Sequence, residues 1–509
     1  MKNTNEKPIG WPIELAVFVC GAVVMTYEIV GSRILAPYIG TSTYIWTGLI
    51  GVILGALSLG YWLGGRIADR RPNVGVLASA IFVSGGLISV TILIKDIALS
   101  AIATTPVNDE VRSIVAALVL FAPASVALGF VIPYATKLRI ADLAETGSAV
   151  GRLYALSTIG SIVGTFSAGF FFIPFVGSVR TLYLLAATLL LMGGYLGGVS
   201  IVRRWLSVVA IFATGLLTSE GYTYLLRSTN LIADIDTQYS RVRVFEATET
   251  STGRKLIALA TDPTYIQSAR YIDSIELALD YTKYYDLVGY FVPGLQRVLM
   301  IGGAGYSYPQ VFLRNFPDSH IDVAEIDPGM TVAARQYFGL IDDPRMTIIH
   351  RDGRMVLNSA RDGEYNAILM DAFGSLFSVP FQLTTIEAVR KMRRAIAEDG
   401  VVIFNLGSAL SGPSALFFRS QLATYRQVFA EVQVYKVRPE AADNVQQNLI
   451  IVACKQSCRN DKSFPTNSNI EFEGLLSTKT DPGEVFDVQI LTDELAPVER
   501  FASIANSLR

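Results

Sequence analysis

Four apolar segments between Arg297 and Asp371 each end in acidic residues or glycines, the residue types of this chain best suited to bind and activate a ligand. The first segment, RVLMIGGAG, ends at Gly302, Gly303 and Gly305, and the second, HIDVAEID, ends at Glu325. The third, MTIIHRDGR, ends at Asp352 and Gly353, and the fourth, YNAILMDAF, ends at Asp371. Ligands of open α/β sheets bind at the carboxyl ends of the strands, so these residues are expected to meet in one crevice. The pattern predicts an enzyme.

The chemistry expected of this crevice is nucleoside binding followed by proton transfer. Glycines after a buried strand let the backbone approach a ligand closely. Glu325, roughly 20 residues further on, can accept both ribose hydroxyls, and Asp352 can accept the exocyclic amine of adenine. Asp371 is the candidate catalytic base and electrostatic anchor beside the reacting group. Each acid alone could instead cap a helix or lie in a solvated loop, but four in this order favour a site.

The elements that must position these residues form a multi-domain chain. The order of apolar segments predicts a C-terminal α/β Rossmann-like domain of the methyltransferase type at 286–456, whose last strands are Val432–Val437 and Asn448–Ala453. Alternating segments such as SRVRVFEA and KLIALATD predict a small β-meander at 223–285. A polar tail, 457–509, is expected to be loop up to about Asp481 and to pack near the active site.

The N-terminal half, 1–222, is expected to be an integral membrane domain. The chain of 509 residues is 51% hydrophobic, and its mean hydropathy of +0.41 is too high for an ordinary soluble protein. Spanning a bilayer takes about 20 apolar residues per helix. Seven stretches qualify, or nearly so: 13–36, 44–63, 76–94, 112–133, 155–176, 180–200 and 205–222. The predicted partner is therefore a lipid bilayer; a net charge of -2 argues against nucleic acid.

Basic residues in alternate loops, such as Arg70, Lys137 and Arg203, predict a cytoplasmic N-terminus. An odd number of spans would then put the soluble half outside, in conflict with a cytosolic cosubstrate, so the side of the membrane stays open. Two ionisable residues within the first span, Glu28 and Arg33, are costly in a bilayer. They could serve a substrate pathway, or they could form a structural ion pair or reach the interface.

Cys454 and Cys458 form a C-x3-C pair, but the chain has only two histidines, so a zinc site lacks companions and no metal is predicted. The two cysteines are either inert thiols or a disulfide, which would require an oxidising compartment.

From about Ile235 to Ala453 the sequence resembles the spermidine synthases, the polyamine aminopropyltransferases, in DTQYSRVRVFEA, IGGAG, AEID, RDGR and MDAF. The rest resembles the bacterial subfamily in which this domain is fused to a multi-helix membrane module, in TYEIVGSRILAPYIGTSTYIW, GGRIADR, GRLYALSTIGSIVGT and LTDELAP. The resemblance implies a multi-pass protein of the bacterial inner membrane. It also implies S-adenosylmethionine or its decarboxylated form as substrate, with methylthioadenosine released by aminopropyl transfer to an amine such as a polyamine. Homo-oligomer formation stays open.

Three departures from the family pattern concern the amine groups rather than the adenosyl group. Ala304 stands where the family has an Asp that helps to bind the donor's amine, Gly374 stands at the second Asp of D-x-x-D, and Ser240 replaces a Gln. Further pocket candidates from the resemblance are Tyr239, Gln267, Tyr271, Asp493 and Glu494. A strand pair would explain Gln267 and Ser268 without chemistry, and a helix cap would explain the LTDELAP acids Asp493 and Glu494.

Two alternatives follow. With the diamine site depleted, the chain could be an S-adenosylmethionine lyase or cyclase that needs no acceptor; loss of an Asp at Ala304 favours it, because that Asp would repel the α-carboxylate of S-adenosylmethionine. It could also be a polyamine or metabolite transporter with a nucleoside-sensing domain, supported by Glu28, although the sequence has no evident pair of broken helices or inverted repeat.

Overall fold

A computed structural model describes residues 10–40, 42–105, 107–140, 146–197, 230–261, 265–372, 379–459, 470–485 and 488–507. The chain divides into two compact units, Met1–Thr229 and Asn230–Arg509. The finer domain limits expected from the sequence stay predictions. The seventh expected span, 205–222, lies outside the described residues.

The described part of the N-terminal unit is helical. Its helices are α1 (Trp11–Ile39), α2 (Thr43–Arg70), α3 (Val74–Ala103), α4 (Asp109–Leu120), α5 (Ala122–Gly129), α6 (Val131–Arg139), α7 (Thr146–Ser167), which continues as a π-helix (Ala168–Val176), and α8 (Ser178–Gly197). Among the described residues, α1, α2, α3, α7 with its π-helical end, and α8 are long and apolar enough to cross a membrane. They coincide with five of the expected spans.

The fourth expected span is broken at Phe121. The helices on either side of the break are bent by 55°. Pro123 opens α5 and has no N–H to continue the ladder. Next to the break, the carbonyl of Leu120 accepts hydrogen bonds from the Tyr27 hydroxyl at 3.0 Å and from the Thr91 hydroxyl at 2.7 Å. Side chains of two other helices thus satisfy the backbone at the break, as an apolar surrounding requires.

Glycines bring α1 and α7 into backbone contact. A Cβ on Gly160 would lie 2.1 Å from the carbonyl oxygen of Phe18, and one on Gly164 would lie 2.2 Å from that of Ala22. On α1, a Cβ on Gly21 would lie 2.3 Å from the carbonyl oxygen of Ser157. Small residues at membrane helix interfaces permit such an approach, so packing explains these glycines.

Ionisable groups lie inside this unit as well. Glu28 and Arg33 are half-buried on α1, and among the described residues Glu28 makes no hydrogen bond or ion pair. On α3, buried Lys95 pairs with its neighbour Asp96 at 2.6 Å, and Asp96 also accepts the Tyr38 hydroxyl. The function of Glu28 and Arg33 stays a prediction.

The C-terminal unit contains two sheets. Their strands are β1 (Leu231–Asp236), β2 (Arg241–Thr248), β3 (Lys255–Ala260), β4 (Ser268–Tyr271), β5 (Arg297–Ile301), β6 (His320–Ala324), β7 (Met346–Ile349), β8 (Tyr365–Met370), β9 (Ile396–Ser408), β10 (Glu431–Lys436), β11 (Gln447–Cys454) and β12 (Lys479–Thr480). Strands β1–β4 form an antiparallel meander, and the rest form one sheet in the order β12-β10-β11-β9-β8-β5-β6-β7. From β9 to β7 this sheet is parallel. The architecture is a mixed Rossmann-like sheet of the methyltransferase type.

Helices cover the faces of this sheet. They are α9 (Asp280–Lys283), α10 (Val288–Phe291), α11 (Ser307–Asn315), α12 (Pro328–Tyr337), α13 (Gly353–Ser359), α14 (Ile386–Ala395), α15 (Leu416–Arg426), α16 (Phe472–Ser477) and α17 (Val498–Ser507), with 3-10 turns at Tyr284–Leu287, Phe381–Leu383 and Pro413–Ala415. The central strands are near-continuous apolar runs because both of their faces are covered. In β5, for example, Val298 to Ile301 are all buried.

Two features differ from the expectations. The tail expected to be loop up to Asp481 contains α16 and β12, because Phe472 is buried in the core beside Tyr290 and Lys479 and Thr480 add an edge strand. Cys454 and Cys458 form a disulfide, so they are not the free, inert thiols that were one of the two interpretations.

Candidate active site

The end of β5 and the end of β8 meet where the strand order reverses, which is where open α/β sheets bind ligands. The amide of Asp371 donates to the Ile301 carbonyl at 2.9 Å. Gly302 has a φ of +99°, and a Cβ there would lie 2.3 Å from the carbonyl oxygen of Asp371. Only glycine fits this position, so the glycine turn and Asp371 are neighbours.

Glu325, after β6, holds the glycine turn through its buried carboxylate. One carboxylate oxygen, Oε2, accepts the amides of Gly303 at 2.9 Å and Ala304 at 3.0 Å, and Oε1 accepts the amide of Asp327 at 2.9 Å. Burial raises the pKa of Glu325, while these three backbone hydrogen bonds lower it. A carboxylate has about four acceptor positions. One acceptor position, on Oε1, therefore stays available to a further donor, and the expected ribose contact of Glu325 stays a prediction.

The turn that follows is conformationally strained. Ala304 and Tyr306 have φ angles of +44° and +54°, which residues with a side chain rarely adopt. The Tyr306 ring covers Gly303, where a Cβ would lie 2.7 Å from the ring, and its hydroxyl pairs with Thr331 at 2.8 Å. Buried contacts therefore impose the conformation that aims the Ala304 amide at Glu325.

Asp352 and Gly353 lie at the same edge of the sheet. Asp352 caps α13 by accepting the amides of Arg354 and Met355, and a Cβ on Gly353 would lie 2.4 Å from Ile301. Arg354 then links this turn to Asp493, which accepts its guanidinium at 2.7 Å and the Thr385 hydroxyl at 2.6 Å. Asp493 is therefore bonded to the turn at Asp352 and is not one of the hydrogen-bond partners of Asp371 among the described residues.

Asp371 is partly buried among hydrogen-bond donors. Tyr281 donates its hydroxyl to Oδ2 at 3.3 Å, and Asn405 donates its side-chain amide to Oδ1 at 3.1 Å. Asn405 is held in turn by the amide of Asn448 at 2.9 Å. Burial raises the pKa of Asp371 to about 6, partly offset by hydrogen bonds from Asn405, Tyr285 and Tyr281. The arrangement suits a carboxylate that accepts a proton near neutral pH.

The sequence analysis missed Tyr281, Tyr285 and Asn405. Buried Tyr285 points its hydroxyl to the carbonyl of Met370, 3.4 Å away. Asn405 could have been identified from the sequence, because it is a polar residue in the apolar run VVIFNL. In the sheet Met370 pairs with Phe404, and Asp371 and Asn405 are the residues that follow this pair on their two strands.

The other pocket candidates have different surroundings. The Gln267 side chain bonds to Thr261, although its backbone carbonyl lies 3.4 Å from the Tyr281 hydroxyl. Tyr271 instead contacts Glu249 and Arg254, and the side chain of Glu494 is exposed. Tyr239 is exposed, and its amide bonds to Thr237.

Thr237 and Ser240 attach the meander to the turn that follows β6. Both hydroxyls donate to Asp327, at 2.5 and 3.2 Å. Gly374 lies outside the described residues, and no group of three or more His, Cys, Asp or Glu suited to a metal ion occurs within the residues described.

Comparison with known proteins agrees with this geometry. Residues 284–459 match the spermine/spermidine synthase domain. A polyamine aminopropyltransferase of Vibrio vulnificus is 26% identical over 217 residues, covering 41% of this chain and 70% of the relative. Polyamine aminopropyltransferase 1 of Streptomyces coelicolor is 26% identical over 430 residues, or 78% of this chain and 76% of that protein, a span too long for the C-terminal unit alone.

Among solved structures, a probable spermidine synthase from Corynebacterium glutamicum aligns with a TM-score of 0.39 and 21% identity, over 54% of this chain and 94% of that one. The domain match and the relatives indicate a transferase. On these matches residues 284–459 are a spermine/spermidine synthase domain, and the chain is similar to polyamine aminopropyltransferases over most of its length.

Proposed function

We propose that this chain is a membrane-bound aminopropyltransferase that uses decarboxylated S-adenosylmethionine and an amine, and releases methylthioadenosine. The observation that carries the proposal is Asp371, a partly buried carboxylate with its pKa raised to about 6, directly beside the glycine turn. The relatives named above are polyamine aminopropyltransferases, which supports the same reaction here.

In the proposed reaction the nitrogen of the acceptor amine attacks the methylene carbon next to the sulfonium. The new C–N bond forms as the C–S bond breaks, and the electron pair of that bond leaves on sulfur as neutral methylthioadenosine. The proton lost by the amine passes to Asp371. Catalysis then depends on positioning and on one proton transfer.

The surroundings of Asp371 fit both partners of this reaction. A carboxylate attracts the cationic amine and the sulfonium, and the partly buried Tyr281 places an aromatic ring beside Asp371. Glu325, Asp352 and the glycine turn supply the groups expected to hold the adenosine.

Within the family pattern, Ala304 bears on the form of the donor. The decarboxylated donor ends in an ammonium, for which Ala304 provides no charge. S-adenosylmethionine itself would bring an α-carboxylate into the same region. Donor preference is therefore part of the test.

We also propose that the N-terminal unit anchors the enzyme in the bacterial cell membrane with a cytoplasmic N-terminus. Five long apolar helices and the distribution of basic residues support this topology.

The test is mass spectrometry of the purified full-length protein incubated with decarboxylated S-adenosylmethionine or S-adenosylmethionine, with and without putrescine. We expect methylthioadenosine and a new polyamine only when the amine is present. Asp371→Asn should lower the rate about 100-fold or more, as loss of a catalytic base does. Asp318→Asn, at an exposed position far from β8 in the chain, is the matched control.

Methylthioadenosine released equally without amine would overturn the transferase proposal in favour of a lyase. Turnover in neither condition, with ligand still bound, would refute an enzyme and favour a sensor.

A further inference from the structure

A second concave site lies at the edge of the sheet opposite Asp371. It is a groove of about 660 Å³ lined by residues of four segments: Asp362 and Gly363, Arg390, Arg393, Arg394 and Glu398, Gln427 and Val428, and Lys455. We call it the basic groove. Asp362 and Gly363 precede β8, whereas Asp371 follows it, so the six residues of β8 separate the two sites by about 20 Å.

The charges in the basic groove do not balance. Lys455 pairs with Glu398 at 3.0 Å, and Arg394 lies 3.3 Å from Asp362. Arg390 and Arg393 make no hydrogen bond or ion pair with any residue that the structure describes, and both are exposed. Arg393 also attracts Glu398, whose pKa is lowered mainly by its hydrogen bond from Lys455. Two paired cations and two unpaired arginines leave a net positive site.

The backbone geometry keeps these cations together. Arg390 and Arg393 are one turn apart on α14, so they point to the same side of the helix. Arg394 is fixed by the carbonyls of Leu357 and Ala360, at 3.1 and 2.8 Å, and its Nε faces the Asp362 carboxylate.

We propose that the basic groove binds an organic phosphate. Guanidinium groups recognise phosphate oxygens through paired, charge-assisted hydrogen bonds, which suits Arg390 and Arg393. The volume exceeds that of a bare phosphate ion and falls in the range of small-molecule sites. Gln427 and Val428 add an amide and an apolar contact for the organic part. The source is a soluble phosphate ester or a lipid headgroup, which share this chemistry.

The test is isothermal titration of the full-length protein in a neutral detergent at low ionic strength. The probes are glycerol 3-phosphate, dihexanoyl phosphatidylglycerol and, as the neutral control, glycerol. None contains a nucleoside, so binding is independent of the Asp371 crevice and of the proposed reaction. The variant Arg390→Gln/Arg393→Gln should weaken phosphate binding about tenfold or more, through loss of two charged donors.

The matched control is Lys391→Gln/Arg500→Gln, which removes the same charge from positions that do not line the groove. It should bind like the parent. Binding of the lipid but not of glycerol 3-phosphate assigns a headgroup, and the reverse assigns a soluble ester. Equal weakening in both double variants, or no difference between the phosphates and glycerol, would overturn the proposal.

Discussion

Tyr281 donates its phenolic hydroxyl to Oδ2 of Asp371 at 3.3 Å, although 90 residues separate them in the sequence. Tyr281 lies in the short helical segment between the meander and β5, so this contact fixes how that segment meets the end of β8. A residue outside the parallel sheet therefore contributes to the pKa of Asp371, after burial and the hydrogen bond from Asn405.

The pH dependence of the reaction should report the ionisation of Asp371. Its pKa is raised to about 6, so the base is protonated and inactive below that value and ionised above it. We expect kcat/KM for the donor, measured at saturating amine, to rise as the pH passes about 6. Asp371→Asn should remove this step. A profile without a step near pH 6 in the parent would contradict the assignment of Asp371 as the base.

Tyr281→Phe should move that step to higher pH. The hydroxyl stabilises the ionised carboxylate, so its loss raises the pKa of Asp371. Tyr284→Phe is the control, because Tyr284 bonds to Lys436 and Thr478 instead. If Tyr281→Phe lowers kcat but leaves the pH of the step in kcat/KM unchanged, Tyr281 has only a structural role.

Glu325→Gln should weaken nucleoside binding about tenfold or more, with a smaller effect on kcat. The amide NH2 of Gln would face at least one of the three backbone N–H groups that now donate to Glu325, so the glycine turn or the Asp327 turn would lose a buried acceptor. Titration with methylthioadenosine measures this effect. Glu276→Gln, at a mostly exposed ion pair, should bind normally; similar losses in both variants would refute the role of Glu325.

Ala304→Asp should raise the preference for decarboxylated S-adenosylmethionine over S-adenosylmethionine. A carboxylate there would attract an ammonium and repel an α-carboxylate, and Asp tolerates the φ of +44° better than most residues. The ratio of kcat/KM for the two donors is the measurement. Ala304→Asn has the same shape without the charge, so an equal ratio in the two variants would exclude an electrostatic effect.

Asp286→Asn should stabilise the C-terminal unit above pH 7. Burial raises the pKa of Asp286 to about 7, against 3.8 unperturbed, while hydrogen bonds from Asn315 and Tyr308 partly offset it. The folded state thus binds more protons than the unfolded state between these values, so the Asp286 contribution to stability falls as the pH rises through this window. The difference is on the order of 4 kcal/mol above the window.

Urea unfolding of parent and variant across pH 4–8 would measure this difference. The two curves should diverge as the pH rises. Parallel curves would show that Asp286 does not titrate in this range.

The strand ends were predictable because parallel strands place their carboxyl ends together and glycine permits the approach seen at Gly302. Five of the seven expected spans were predictable as long apolar helices from length and hydropathy alone. Long-range contacts were not predictable. Nothing near Tyr281 in the sequence indicates its hydrogen bond to Asp371. The hydrogen bonds from backbone amides to the Glu325 carboxylate depend on the left-handed turn at Ala304, which the sequence does not reveal. The break at Phe121 was missed because hydropathy does not register a lost backbone hydrogen bond, although Pro123 was a local signal.

The backbone contact between α1 and α7 bears on how the protein is made. The Thr26 hydroxyl bonds to the Gly164 carbonyl at 3.1 Å across 138 residues of sequence. On the proposed membrane topology, α1 would enter the bilayer before α7 is synthesised, and its glycine face would lack its partner while α2 to α6 follow. A ribosome-bound chain that ends before Thr146 lacks α7, so the packing of α1 against α7 is a late step of biogenesis.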